Sequence, residues 1–334
     1  MMPMALFIPL NKNKIMKKLI ISLLIIQTAW AQQPTKRIEF EAPESYPEGV
    51  AFNKTANEFY VSSARLGTVG KVTKEGKYSE LYADKSLKST YGLKVHPDCK
   101  KLYVCSGDAN YSKFSTPDTK KKMARLVIID LKSGKKTSDI DLSGLVPGEH
   151  FPNDLTFDDK GNVYITDSYA DVIYKVDSSG KASIFSKSEL LKSAGVGPNG
   201  VVFHPQGFLL VANNGTGALV KIEIANPEKA AKVKIDQFFP SADGLLLNDV
   251  NTLTLVQNGG VNKIFKIKTA DNWVSAQATE STSIEDRFAF PSTAAMSGNE
   301  TWIMNANFSE LTEGNNVPSK KFSLQQAVFN PIKK

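Results

Sequence analysis

Glu48, Asn153, Asn199 and Asp243 each stand at the head of a short apolar run, in YPEGVAF, FPNDLTF, GPNGVVF and SADGLLL. Two carboxylates and two amide carbonyls are hard oxygen donors with a combined charge of −2, the set that Ca²⁺ prefers over softer metals, with water filling the remaining positions. Mg²⁺ or Mn²⁺ could use the same oxygens, and the absence of nitrogen and sulfur ligands disfavours Zn²⁺. Tyr91 and Ser292 occupy the equivalent slot in TYGLKV and FPSTAAM. A single Asn-Gly or Asp-Gly reads as a turn dipeptide. Recurrence in one slot, together with Glu48, which is not a turn former, argues instead for a shared functional position.

Polar residues also cluster at Ser62 and Ser63, Asp108, Asp167, Asn213 and Asn214, Gln257 and Asn258, and Asn305. Each of these groups follows a second β-rich run. An antiparallel pair returns the chain to the end where the slot lies, so these loops are expected beside it. Asp167 and Asn213 are the preferred substrate contacts, because their units already supply metal ligands, and Tyr91 joins them from the slot itself. His150, three residues before Asn153, suits proton transfer near neutral pH or is simply an exposed loop histidine. His96 and His204 each precede Pro at the opposite end of a unit and are read as structural. There is no phosphate-binding glycine loop, no Cys/His zinc spacing and no G-x-S-x-G elbow.

Six copies of one pattern position these residues. They begin at Tyr46, Thr90, Phe151, Gly197, Ser241 and Phe290, and each consists of a small or turn-forming pair, an apolar run, a polar turn and a second β-rich run. Further strand signals such as VIYKVDSSGKASIF make four strands per unit. The steps from Gly49 to Gly92, Asp154 to Gly200 and Gly200 to Gly244 are 43, 46 and 44 residues, the period of propeller blades. A longer step of 62 from Gly92 to Asp154 marks an insertion at 111–124. The pattern predicts an all-β, six-bladed β-propeller of four-stranded blades around a central channel, occupying residues 36–332 as one domain. A long β-sandwich is the alternative. RIEFEAP before the first copy and QQAVFNPI after the last are expected to complete one blade from both ends of the chain. One helical turn or two is expected over Ser186–Gly195.

Lys17 and Lys18, the apolar run Leu19–Ile26 and Ala29-Trp30-Ala31 form a secretory signal peptide over residues 1–31, with Met16 an alternative start. The run is too short for an ordinary membrane span, so a periplasmic or secreted protein is expected. Residues 1–31 hold four lysines and no acid, so cleavage lowers the formal charge from +7 to +3. The remaining cluster Lys120–Lys122 lacks aromatic neighbours, and a nucleic-acid partner is set aside. The strand-like segment joining Cys99 and Cys105 keeps them too far apart for a disulfide.

Over residues 46–307, and most strongly at FPNDLTFDDKGNVYITDS, GPNGVVFHPQGFLLVAN and ADGLLL, the chain resembles the calcium-dependent propellers of the senescence-marker-protein, gluconolactonase and luciferin-regenerating-enzyme family, and more distantly the paraoxonases. The resemblance implies a metal held by Glu48, Asn153, Asn199 and Asp243. It also implies hydrolysis of a lactone or related ester, with Asp243 accepting the proton of the attacking water. The sugar-lactone hydrolases carry an Arg shortly before the Asn that matches Asn153. This chain has Phe151 there, which points to a less polar substrate. The rival reading is a non-catalytic propeller with a structural metal, using the insertion and the segment 310–324 as recognition loops.

Overall fold

The computed structural model describes residues 35–311 and 317–333, so the signal-peptide reading and residues 312–316 of the proposed recognition segment lie outside the described residues. The repeat folds into six antiparallel sheets. Their innermost strands are Val50–Asn53, Ser89–Val95, Pro152–Phe157, Pro198–His204, Ala242–Asp249 and Pro291–Ser297. Each packs against the innermost strand of the next sheet, and the first meets the last, closing a six-bladed β-propeller around a central channel. Among the described residues there is no helix long and apolar enough to cross a membrane.

Blades stack face to face, so their middle strands are buried on both sides and read as unbroken apolar runs rather than as alternating ones. In Phe208–Asn213 every residue is buried: Phe208, Leu210 and Ala212 pack toward blade five, while Leu209 and Val211 pack toward blade three. The outermost strand of the same blade, Asn226–Lys232, is largely exposed and polar.

The ring is closed by the N-terminal strand Arg37–Glu41, which pairs antiparallel with Lys321–Gln326 as the outermost strand of blade six. Ile38 stands opposite Leu324, and Phe40 opposite Phe322. The C-terminal segment does not complete that blade alone. Gln325 and Gln326 end its third strand, whereas Asn330–Pro331 crosses to the edge of blade five and pairs with Gln277–Ser281. The helical turn expected at Ser186–Gly195 is one 3₁₀ turn, Glu189–Leu191. Its cap is Ser188, which accepts the Leu190 N–H at 3.2 Å, because Ser186 is still the last residue of a strand.

Cys99 and Cys105 are both free, and Cys105 is buried within its strand.

Candidate metal and substrate site

Five of the six slot residues sit in the inner strands, and Glu48 lies two residues before its strand, so none is in a turn. Pairing between first and second strands shifts register across Thr90/Leu93, Pro152/Leu155, Pro198/Val201, Ala242/Leu245 and Pro291/Ala294, so five blades carry a bulge at the slot. A bulge re-aims the side chain it carries. Hydroxyls of the second strand satisfy the backbone that the bulge releases. Asp154 N–H donates to Thr166 Oγ1 at 3.1 Å, and that hydroxyl donates to the Asn199 carbonyl of the next blade at 2.7 Å. In blade one the Ser62 hydroxyl accepts the N–H groups of Glu48 and Gly49 at 3.2 and 2.7 Å.

The glycine after the slot serves close packing. None of Gly49, Gly92, Gly200 and Gly244 has a positive φ. A Cβ at Gly49 would lie 2.3 Å from the Tyr91 carbonyl oxygen, and one at Gly200 2.2 Å from that of Asp243. The dipeptides are therefore contact points between neighbouring inner strands rather than turn formers.

Glu48, Asn153, Asn199 and Asp243 converge on one cavity of about 200 Å³ at the channel mouth. All four are at most 7% exposed. Glu48 Oε2, Asn153 Oδ1 and Asn199 Oδ1 are buried without a hydrogen-bond partner. Buried polar atoms are normally paired, so three orphaned oxygens from three blades, facing the cavity that Asp243 also lines, fit a hard cation. Asn153 Nδ2 is already engaged, donating to Ser168 Oγ at 3.1 Å, and Asn258 Nδ2 donates to Asp243 Oδ2. The set holds only two carboxylates, and among the described residues no cluster of three or more His, Cys, Asp or Glu side chains is placed to bind an ion. Any ion here depends on the amide oxygens.

Burial, then the charges of Asp243 and Asp154, push the Glu48 carboxyl well above the usual range, with Lys94 opposing. Burial and then Asp154 raise Asp243 likewise, against hydrogen bonds from Asn199 and Asn258. Two carboxylates this deeply desolvated resist sharing negative charge unless a cation joins them.

The other expected contacts are placed differently. Phe151 lines the cavity, but Tyr91, His150, Asp167 and Asn213 stand behind its wall. Tyr91 is fully buried, edge-on to Phe151 at 4.8 Å, and its hydroxyl accepts the Ala109 N–H at 2.9 Å. Asp167 accepts the Phe151 N–H at 2.7 Å and lies 2.7 Å from His150 Nδ1 and 3.1 Å from the Tyr174 hydroxyl, tying the loop before Asn153 to blade three. Asn213 donates to the carbonyls of Leu190 and Leu191 at 3.1 and 2.9 Å. Ser292 takes no part in the cavity, since its hydroxyl donates to the Glu48 carbonyl at 2.5 Å. His204 is structural, its Nε2 2.8 Å from the Val250 carbonyl.

Asn214 and Asn258 are the loop residues that reach the cavity, with Ser241. Facing them is an aromatic arc. Tyr111, from the blade-two insertion, packs 5.1 Å from Phe308 and 6.3 Å from Phe151, and Phe290 stacks on Phe308 at 5.7 Å. Among the described residues, no Lys, Arg or His lines the cavity.

No family model matches this chain, and no curated protein sequence matches it. Solved structures match at the level of fold. The Malassezia sympodialis allergen Mala s 1 aligns at TM-score 0.69 and 17% identity, over 90% of this chain and 97% of that one. The luciferin-regenerating enzyme aligns at 0.60 and 13%, over 89% and 97%. A candidate gluconolactonase aligns at 0.57 and 14%, over 91% and 95%. The fold class is thus a six-bladed propeller shared with both proteins of the family the sequence resembles.

Proposed function

We propose that this protein is an exported, divalent-cation-dependent hydrolase of lactones or related esters, with Ca²⁺ the fitting ion. The observation that carries the reading is the set of orphaned oxygens on Glu48, Asn153 and Asn199 around the cavity that Asp243 shares. The fold likeness to the luciferin-regenerating enzyme and a candidate gluconolactonase supports it. Export rests on the N-terminal sequence pattern.

A bound cation would supply Lewis-acid polarisation of the substrate carbonyl. The chain's own residues do the rest. Asp243 is the proton acceptor for the attacking water, since its carboxylate lines the cavity where that water would stand. Asn258 fixes the orientation of that carboxylate. Asn214 and Ser241 offer hydrogen bonds on one side, while Tyr111, Phe151, Phe290 and Phe308 shelter an apolar substituent on the other. Among the described residues no basic side chain lines the cavity to pair a free carboxylate or phosphate, and the aromatic arc favours uncharged aryl or alkyl lactones and esters over polyhydroxylated sugar lactones.

The test is a panel of lactones and aryl esters assayed with Ca²⁺ and after chelation. Turnover lost with chelator and restored by Ca²⁺, and abolished in Asp243→Asn while that variant still binds the ion, supports the enzyme. Ca²⁺-dependent thermal stabilisation without turnover of any panel member would move the assignment to a binding propeller with a structural metal.

A further inference from the structure

Four blades place Gly directly after the slot residue, but blade three places Asp154 there. Asp154 is 4% exposed and brings a third carboxylate into the channel under the cavity. The space for it comes from blade two, where a Cβ on Gly92 would lie 2.8 Å from Asp154 Oδ1. Oδ1 accepts the Leu155 N–H at 2.8 Å, and Oδ2 accepts the Val201 N–H of blade four at 3.4 Å. Lys94, on the inner strand of blade two, brings Nζ to 3.6 Å from Oδ1.

Glu48 and Asp243 make no ion pair with a basic side chain among the described residues, and the charges acting on Glu48 are those of Asp243, Asp154 and Lys94. Three ionised carboxylates and one ammonium leave a formal excess of −2. Uncompensated charge is strongly disfavoured in a buried site, so a doubly charged cation brings this cluster to neutrality, whereas a singly or triply charged one does not. We propose that Lys94, by cancelling the charge that Asp154 adds, holds the cluster at −2 and so tunes the site to divalent cations, with neither residue serving as a ligand. The inference rests on the cation site proposed above.

Selectivity between Ca²⁺ and Tb³⁺ reads this balance directly, since the two ions are similar in size and ligand preference and differ in charge. Affinities are measured by calorimetry for Ca²⁺ and by terbium luminescence, with Ca²⁺ competition, on the purified protein. Lys94→Met keeps the length of the side chain and removes its charge. It should raise the preference for Tb³⁺ over Ca²⁺ by at least about tenfold, and Lys94→Arg should keep the wild-type ratio. Asp154→Asn should act in the opposite sense, weakening Tb³⁺ more than Ca²⁺.

A ratio unchanged within about twofold in Lys94→Met overturns the proposal. If that variant does not fold, Asp154→Asn decides: a fall in Tb³⁺ preference supports the proposal and an unchanged ratio overturns it. Wild-type protein that binds neither ion overturns the cation site itself, and this inference with it. Wild-type binding of Ca²⁺ with ratios unmoved by either variant overturns the charge-setting role alone.

Discussion

The hydroxyl of Ser168 lies between Asn153 and the blade that carries Asn199, donating to the Pro198 carbonyl at 2.7 Å and accepting Asn153 Nδ2 at 3.1 Å. Its single proton is committed to Pro198, so toward Asn153 it can only accept. That one constraint decides which end of the Asn153 amide is held and turns Oδ1 toward the cavity.

Ser168→Ala should therefore release the amide to rotate and present either end to the cavity. The expected result is Ca²⁺ affinity lowered by roughly ten- to a hundredfold, the range for removal of a group that orients a ligand. Thermal stability of the metal-free protein should change little by comparison. Calorimetric titration beside a melting curve separates the two, and an affinity equal to wild type would show that Asn153 needs no such orientation.

Much of this arrangement is legible in the sequence because the repeat is. One register places Glu48, Asn153, Asn199 and Asp243 in equivalent positions, and the structure brings all four to one cavity. What a linear pattern hides is direction. Asn213 and Asn214 are adjacent, but Asn213 ends its strand and turns to the linker carbonyls, whereas Asn214 opens the following turn and lines the cavity. Asn258 carried the same polar-loop signal, and its pairing with Asp243 arises only when the blade closes. Asp154 served as a spacing marker in the sequence, although a carboxylate where four other blades have glycine was the visible sign of its role. Tyr111 reaches the cavity from an insertion with no counterpart in the repeat.

Close approach of neighbouring inner strands makes the slot glycines intolerant of any side chain. Gly200→Ala puts a methyl 2.2 Å from a backbone oxygen, where nothing flexible can yield. A loss of about 3 kcal/mol in unfolding free energy is expected, at the upper end for overpacking. Gly195 is the control: its φ is not positive and nothing lies within 4 Å of an added Cβ, so Gly195→Ala should be neutral or slightly stabilising. Chemical denaturation of the two variants gives the contrast, and equal stabilities would contradict the packing argument.

His150 supplies a pH-dependent clamp on the loop that carries Phe151. Burial alone would lower its pKa, but the hydrogen bond and charge of Asp167, with a backbone hydrogen bond to Val146 and the charge of Asp141, raise it above the ordinary 6.5. A histidine whose folded pKa is raised stabilises the fold fully below its unfolded pKa and loses that contribution as pH rises through the folded value. Stability measured with Ca²⁺ saturating throughout should thus decline as pH rises from about 6 through the raised value, and His150→Asn should lack that decline. A slope retained in the variant would assign it to another group.

The carboxylates of the cavity predict a second pH dependence, visible only without the ion. Burial raises both Glu48 and Asp243 in the metal-free chain, and a carboxyl whose folded pKa exceeds its unfolded value gives stability that is present below the unfolded pKa and lost as pH rises through the folded one. Chelated protein should accordingly be most stable in mild acid and weaken toward neutral and alkaline pH. Ca²⁺ binds the deprotonated pair, so its affinity should rise over the same interval, with protons released on binding. The gap in melting temperature between Ca²⁺-loaded and chelated protein should then widen with pH, and calorimetry in two buffers of different ionisation enthalpy should report the released protons. A gap independent of pH, with no proton release, would mean that Glu48 and Asp243 do not meet at a shared ion.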